Sequence, residues 1–170
     1  MEGEVADTQL GGHLPDEVRS ATEHHTAVVV GGGQSGLATA YYLRRYEMDF
    51  LILDNQEEPG GAWLHAWPSL TLFSAAAFSN LPGWPMPQYP GYPPASHVID
   101  YLEHYERRYD LPARRPVHVR SVSHDGGMFF LDSTVGQFTA DHVVAATGTW
   151  SAPFVPPLSL SLIHISERAG

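Results

Sequence analysis

The sequence has no cysteine. This excludes disulfide bonds, zinc sites built on thiolates and a Cys-x-x-Cys redox pair within the 170 residues. Positive charge is also scarce, because nine Lys and Arg face nineteen Asp and Glu and give a net charge of −10. Such an acidic chain repels phosphates, so we expect neither a nucleic-acid partner nor an anionic membrane partner.

Long apolar runs are missing as well. None approaches the ~20 residues needed to cross a bilayer, and the N-terminus (Met1, Glu2, Glu4, Asp7) lacks the basic start and apolar stretch of a signal peptide. We therefore expect a cytoplasmic protein. The ten histidines show no metal-ligand spacing such as His-x-x-x-His, so no metal site is predicted. No residue stands out as a catalytic acid, base or nucleophile.

Length and composition fit one domain with polar ends. A chain of 170 residues, 43% of them hydrophobic, can build one core, since a domain takes ~100–200 residues. Residues 1–25 are acidic and punctuated by Gly and Pro, which predicts a disordered tail with His24 and His25 solvated. The folded domain is predicted over residues 26–157.

The first structural unit is a strand, a turn, a helix and a second strand. The β-branched run 27–30 predicts a parallel strand buried on both faces. A glycine-rich segment, 31–36, follows it and leads into an apolar face at helical spacing. A second apolar run, 50–53, then stops at Asp54. This pattern is a right-handed βαβ unit and predicts an α/β, Rossmann-like domain with a parallel central sheet.

A loop, a helix and a β-meander are predicted next. Residues 55–95 are rich in Pro and Gly, but their many aromatic side chains indicate a packed loop rather than disorder. A helix capped by Ser96 is predicted to run to about Tyr109. Three strands separated by glycine turns predict an inserted three-stranded meander that returns to the main sheet. They cover residues 117–122, 128–131 and 138–146.

Glycines at 31, 33 and 36 have the spacing of a dinucleotide-binding turn. In this motif the first glycine permits a tight turn, the second lets the backbone approach a pyrophosphate, and the third lets the helix pack on the strand. The phosphates then meet free N–H groups and the positive end of the helix dipole. The predicted nucleotide-binding segment is Gly31, Gly32, Gly33, Gln34, Ser35 and Gly36.

An acidic residue completes this first motif. Asp54 lies 18 residues after Gly36, at the end of the second strand. An acid in this place accepts hydrogen bonds from a ribose 2′-hydroxyl. It also disfavours a 2′-phosphate, so NADP is not expected in this particular site.

Two later segments indicate which dinucleotide is bound. Gly60-Gly61-Ala62-Trp63 follows the second strand, and Ala146-Thr147-Gly148 ends the last one. Together with the glycine turn, these segments resemble the flavin-containing monooxygenase family, including its Baeyer–Villiger relatives, over about residues 26–157. The resemblance implies that Gly60 and Gly61 allow close approach of the backbone to FAD. It also implies that Trp63 forms a flat, water-excluding wall beside the isoalloxazine.

The resemblance assigns further contacts. It implies that Ala146, Thr147 and Gly148 return to the nucleotide, with a donor on Thr147 and a close turn at Gly148. The adenine would meet a backbone group of Val119, or alternatively of Val117. Ser74 and Asn80 lie in a loop that resembles the segment between the flavin and the substrate, although loop capping is the commoner role of both residue types.

The family's activity follows from the same resemblance. NADPH or NADH would reduce the FAD, and O₂ and a small molecule would be the other reactants. A flavin hydroperoxide would transfer oxygen to a soft nitrogen or sulfur, or to a ketone. The protein would contribute orientation, electrostatics and exclusion of water.

The sequence departs from the family pattern near its end. The family signature Phe-x-Gly-x-x-x-His and a second glycine-rich βαβ unit for NADPH do not appear. From Leu160 to Gly170 the sequence resembles translated sequencing adapter, so residues 158–170 are expected to be non-native and the NADPH unit to lie beyond about Pro157. The fragment alone is then expected to bind FAD without turnover.

Other functions stay open at this point. A flavin oxidoreductase of the thioredoxin reductase type shares the first and third motifs, but its dithiol needs two cysteines. An NAD-dependent dehydrogenase shares the first motif and gives the aromatic loop no role. A non-enzymatic FAD-binding module is the third alternative.

Overall fold

The computed structural model describes residues 22–149, so residues 158–170 and most of the predicted tail lie outside it. No helix in that described span is both long and apolar enough to cross a membrane. The elements in chain order are β1 (Glu23–Val30), α1 (Gln34–Arg45), β2 (Phe50–Leu53), two short 3₁₀ helices (Gly61–His65 and Ala76–Phe78), α2 (Ala95–Arg108), β3 (Ala113–Arg114), β4 (Val119–Asp125), β5 (Met128–Ser133) and β6 (Gly136–Ala145).

One six-stranded sheet organises these elements, in the order β3-β2-β1-β6-β5-β4. β1 pairs in parallel with both β2 and β6, and β2 pairs in parallel with β3. β4, β5 and β6 form an antiparallel meander whose last strand joins β1. The predicted Rossmann-like domain with an inserted meander is therefore confirmed. The chain leaves β1 toward β2 and later returns on its other side, which makes a crevice at the carboxyl ends of these strands.

The centre of the sheet is covered on both faces. Val29 packs into a cluster formed with α1 and α2, whereas Val28 packs into a second cluster that includes residues of the meander. Side chains alternate across a strand, so neighbouring valines need two apolar environments. Because both faces of β1 are buried, its apolar run is not interrupted by polar residues.

β1 begins at Glu23, three residues before the predicted start at Thr26. Glu23 pairs in register with β6, and its carboxylate accepts two hydrogen bonds from Arg114 at 2.7 and 2.9 Å. Nδ1 of His25 lies 3.0 Å from the nearer carboxylate oxygen of Asp49. The interpretation of His25 as a solvated tail residue is therefore wrong. These polar residues extend the strand through partners that are distant in sequence.

α2 begins one residue before the predicted cap. Pro94 occupies the cap position with extended backbone, and Ser96 lies inside the first turn, where no side chain caps the helix. Proline lacks an N–H and has a fixed φ, so it fits a helix start without a capping side chain. The buried face of the helix comprises Val98, Tyr101, Leu102 and Tyr105.

Tyrosines of α2 hold the aromatic loop in place. The Tyr101 hydroxyl donates to the carbonyl of Trp84 at 2.6 Å and accepts from the N–H of Leu81 at 2.8 Å. The Tyr105 hydroxyl donates to the carbonyl of Pro82 at 2.6 Å. Burial raises the pKa of both phenols, so both remain donors at neutral pH. The prediction that the aromatic side chains pack is confirmed only in part: Trp63 and Trp84 pack against the core. The other aromatic side chains of the loop are exposed, namely Trp67, Phe73, Phe78, Tyr89 and Tyr92.

Removing these hydroxyls should weaken the domain. Tyr101→Phe leaves the Leu81 N–H and the Trp84 carbonyl without their partner, so we expect a loss of about 1–3 kcal/mol in the free energy of unfolding. Urea unfolding followed by tryptophan fluorescence measures it. Tyr46→Phe, at an exposed position, is the control. Equal stability of the two variants would show that the hydroxyl of Tyr101 does not hold the loop.

Glu23 should make stability depend on acid pH. Hydrogen bonds from Arg114 and His25 lower the pKa of Glu23 from its usual 4.5 to about 2. A depressed pKa stabilises the fold above the unfolded value, and this contribution disappears as the pH falls from about 4.5 to 2. Because the pair is largely exposed, the contribution is at most about 1 kcal/mol.

Thermal unfolding of Glu23→Gln between pH 2 and 7 tests this dependence. The variant should be less stable than the parent at pH 7 and equal to it near pH 2. Glu57→Gln, at an exposed loop position, should match the parent throughout. A constant difference between Glu23→Gln and the parent at every pH would contradict the proposed linkage.

Candidate functional site

A cavity of about 460 Å³ opens at the carboxyl edge of the sheet. Val30, Leu53 and Ala145 are register partners at the ends of β1, β2 and β6, and all three line it. Backbone hydrogen bonds of 2.8 Å tie the segments together where the strands end. The N–H of Gly31 donates to the carbonyl of Leu53, and the N–H of Ala146 donates to the carbonyl of Val30. Three segments distant in sequence thus leave the sheet side by side.

Nearly all the site residues predicted from the sequence line this one cavity. They are Gly31, Gly32, Gly33, Gln34, Ser35, Asp54, Gly60, Gly61, Trp63, Val119, Ala146, Thr147 and Gly148. Gly36 is the exception, because it lies within α1 and packs against the turn beneath the cavity. Val117, the alternative to Val119, is also part of the wall.

The glycine segments touch one another through their backbones. A side chain at Gly31, which has φ +108°, would collide with the carbonyl oxygen of Ala146, and one at Gly36 would collide with the carbonyl oxygen of Gly31. A β-carbon at Gly61, with φ +56°, would lie 2.8 Å from the α-carbon of Gly33. The three segments can therefore meet only because side chains are absent at these contacts.

The N-terminus of α1 faces the cavity. Gly33 is its cap residue, no side chain caps the helix, and its first turn carries no acidic residue. The first N–H groups of a helix have no partner within the helix, and the helix dipole places partial positive charge there. Gly33 to Ser35 therefore form a wall suited to an anionic phosphate.

Asp54 lies beside this wall and is almost completely buried, with 4% of its surface exposed. Its Oδ2 atom accepts a hydrogen bond from Nε of Arg115 at 2.8 Å. The sequence does not reveal this arginine, which is 61 residues away and follows a strand of only two residues, too short to predict. Asp54 is placed as predicted, but with an ionic partner.

Trp63 contributes a flat indole ring to the lining of the cavity. It lies in the 3₁₀ helix Gly61–His65, half-buried against the hydrophobic cluster to which α1 and α2 contribute. Nearby, Nε2 of His65 lies 2.7 Å from the side-chain oxygen of Gln56 and links this short helix to the end of β2. The cavity lining thus combines one flat aromatic side chain with polar groups and glycine backbone.

Several lining residues were not predicted from the sequence. They are Val30, Leu53, Asn55, Gln56, Ala62, His65, His118 and Ala145. Asn55 and Gln56 directly follow Asp54, so their position at the end of a parallel strand was the available signal.

Ser74 and Asn80 do not line the cavity. The Ser74 hydroxyl lies 2.8 Å from that of Ser79, and Asn80 bonds the Ala77 carbonyl and the Met86 N–H, each at 2.8 Å. Both residues hold their own loop, which is the commoner role noted above. Across residues 22–149, no group of three or more His, Asp or Glu side chains is arranged to hold a metal ion.

Comparisons with known proteins agree with this geometry. The family model described as pyridine nucleotide-disulphide oxidoreductase matches residues 28–167. A flavin-containing monooxygenase from Stenotrophomonas maltophilia is 47% identical, with a TM-score of 0.76 over 79% of this chain and 42% of that one.

Two curated proteins show the same similarity. An uncharacterized oxidoreductase, CzcO-like, from Geobacillus kaustophilus is 35% identical over 79% of this chain and 39% of its own length. The indole-3-pyruvate monooxygenase YUCCA6 of Arabidopsis thaliana is 34% identical over 92% of this chain and 39% of its own length. The chain therefore spans about two fifths of the length of these relatives.

The chain belongs to the pyridine nucleotide-disulphide oxidoreductase family. Within it, the predicted resemblance to the flavin-containing monooxygenases is confirmed.

Because Gly61 packs closely on Gly33, a side chain at position 61 should lower the free energy of unfolding. Gly61→Ala combines a strained positive φ, costing about 1–2 kcal/mol, with an overpacked contact costing about 1–3 kcal/mol more. Gly91→Ala is the matched control, because Gly91 has φ +77° with nothing within 4 Å of the added β-carbon. Urea unfolding should show a larger loss for Gly61→Ala. Equal losses would mean that the two loops do not touch.

Proposed function

We propose that the cavity binds FAD. The observation that carries the proposal is the meeting of the three glycine segments around an uncapped helix N-terminus. In this arrangement the pyrophosphate lies against the N–H groups of Gly33 to Ser35, where the helix dipole favours negative charge. Asp54 accepts a hydrogen bond from the adenosine ribose, and Val119 or Val117 meets the adenine.

The flavin end lies toward Trp63. The indole offers a flat apolar face, and Gly60 and Gly61 allow the backbone to approach the ring. Thr147 and Gly148, which follow β6, also line the cavity. The role of these residues is to orient the ring and exclude water from it, because bound FAD supplies the redox and oxygen chemistry.

The whole protein is proposed to be an NAD(P)H-dependent flavin monooxygenase. It would insert one oxygen atom of O₂ into a small molecule at a soft nitrogen or sulfur, or beside a ketone carbonyl. Similarity to flavin monooxygenases supports this activity. NAD(P)H is proposed to bind in the part of the relatives' length that this chain does not match, so the chain by itself binds FAD without turnover.

Titration of the purified chain with FAD, FMN and NAD⁺ tests the proposal. FAD should bind, which is seen as a change in flavin fluorescence on titration and as flavin absorbance that elutes with the chain on gel filtration. FMN, which lacks the adenosine contacts, should bind at least about tenfold more weakly. Gly33→Ala should fold normally, because the nearest atom to the added β-carbon is the Gly61 α-carbon at 3.7 Å. It should nevertheless lose FAD affinity, because a methyl group on the phosphate wall blocks close approach.

Gly91→Ala, remote from the cavity, is the control and should bind FAD as the parent does. A folded parent that takes up NAD⁺ but not FAD would favour a dehydrogenase. Oxidation of NADPH by the FAD-loaded chain would contradict the proposed absence of turnover.

A further inference from the structure

Arg115 is a buried cation held between two carboxylates. Its Nε donates to Oδ2 of Asp54 at 2.8 Å, and its two terminal nitrogens donate to the two oxygens of Glu106 at 2.8 and 2.7 Å. The exposed fractions of the side chains are 9% for Arg115, 4% for Asp54 and 14% for Glu106. Burial disfavours the charge, but the hydrogen bonds to Glu106 and Asp54 outweigh it and raise the pKa of Arg115.

The sheet brings this triad to the edge of the cavity. Leu53 of β2 and Arg114 of β3 are register partners, so Asp54 and Arg115 follow two adjacent parallel strands. The N–H of Asp54 donates to the Arg114 carbonyl at 3.1 Å, which fixes the backbones together. Glu106 comes from the last turns of α2 and holds the guanidinium from the other side.

The geometry leaves one carboxylate oxygen of Asp54 available. Oδ2 is used by Arg115, and Oδ1 has no hydrogen bond to any residue in the described part of the chain. The same described residues contain no fully buried side-chain oxygen or nitrogen without a partner, so Oδ1 keeps some accessible surface, and Asp54 is one of the residues that line the cavity. A buried carboxylate with one oxygen fixed and the other without a partner is a preorganised acceptor.

We infer that Arg115, itself held by Glu106, is a positioning residue that aims Oδ1 of Asp54 at the ribose 2′-hydroxyl of the bound nucleotide. This rests on the proposed function, in which Asp54 meets the adenosine ribose. All three nitrogens of the Arg115 guanidinium donate to carboxylates, so this side chain is not available to bind a 2′-phosphate. The two carboxylates and one arginine carry a net negative charge, which repels such a phosphate.

Gly32 is explained by the same triad. A β-carbon at this position would lie 2.5 Å from both Oδ2 of Asp54 and a terminal nitrogen of Arg115. The ion pair of Asp54 and Arg115 therefore requires glycine at position 32, between the motif glycines at 31 and 33.

Isothermal titration with ADP and 2′-deoxy-ADP tests this role, because the two probes differ only in the hydroxyl concerned. The parent chain should bind ADP about tenfold or more tightly, as expected for a hydrogen bond to a charged group. Arg115→Gln should reduce this preference to less than about threefold, because Oδ1 is no longer held toward the cavity. Arg114→Gln, which removes the neighbouring exposed charge paired with Glu23, should keep the full preference.

A second variant keeps the test decisive if Arg115→Gln fails to fold. Glu106→Gln retains the Arg115–Asp54 pair with balanced charge, but weakens the hold on the guanidinium, so the preference should fall between those of the parent and Arg115→Gln. Its control is Glu103→Gln on the same helix, where Glu103 pairs with exposed Arg107. A purely structural role would weaken both probes equally and leave their ratio unchanged.

The outcomes separate the inference from the proposed function. FAD binding by the parent, together with an unchanged ADP preference in folded Arg115→Gln or Glu106→Gln, would overturn the positioning role and leave FAD binding intact. A parent that prefers ADP but does not bind FAD would overturn the proposed function, and a reduced preference in Arg115→Gln would then still support the role of Arg115. Equal binding of both probes by the parent would overturn the inference.

Discussion

Backbone contact without intervening side chains is the constraint on which this site depends. The turn after β1 meets the segment after β6 at Gly31, meets α1 at Gly36 and meets the loop after β2 at Gly61. Each contact is closer than any side chain allows. The cavity walls are therefore made largely of backbone, and backbone N–H groups suit a phosphate irrespective of the rest of the ligand.

The surrounding structure supports this backbone framework from two directions. Behind the sheet edge, α2 supplies Glu106 to the buried arginine and tyrosine hydroxyls to the aromatic loop. The 3₁₀ helix carrying Trp63 packs on the hydrophobic cluster to which α2 also contributes. One amphipathic helix thus connects the carboxyl edge of the sheet, through Glu106, with the 3₁₀ helix that carries Trp63.

Local patterns predicted the sheet and most of the cavity, because their signals are contained in short segments. The buried run of β1, the glycine turn and Asp54 lie within about 30 residues. What the sequence did not show depends on pairing between distant residues. β3 has only two residues and no recognisable pattern, so Arg115 was not expected beside Asp54. The start of β1 was missed because Glu23 and His25 look like tail residues until Arg114 and Asp49 are seen beside them.

The parallel pairing of β1 with β6 has a consequence for synthesis of the chain on the ribosome. Val30 and Ala145 are neighbours in the sheet but are separated by most of the domain in sequence. The early βαβ unit can form from local contacts, whereas the cavity gains its last wall only after the meander has been made and docked. Contacts of such long range form slowly, so a nascent chain carries its glycine turn exposed, beside an incomplete cavity, until translation has passed Gly148.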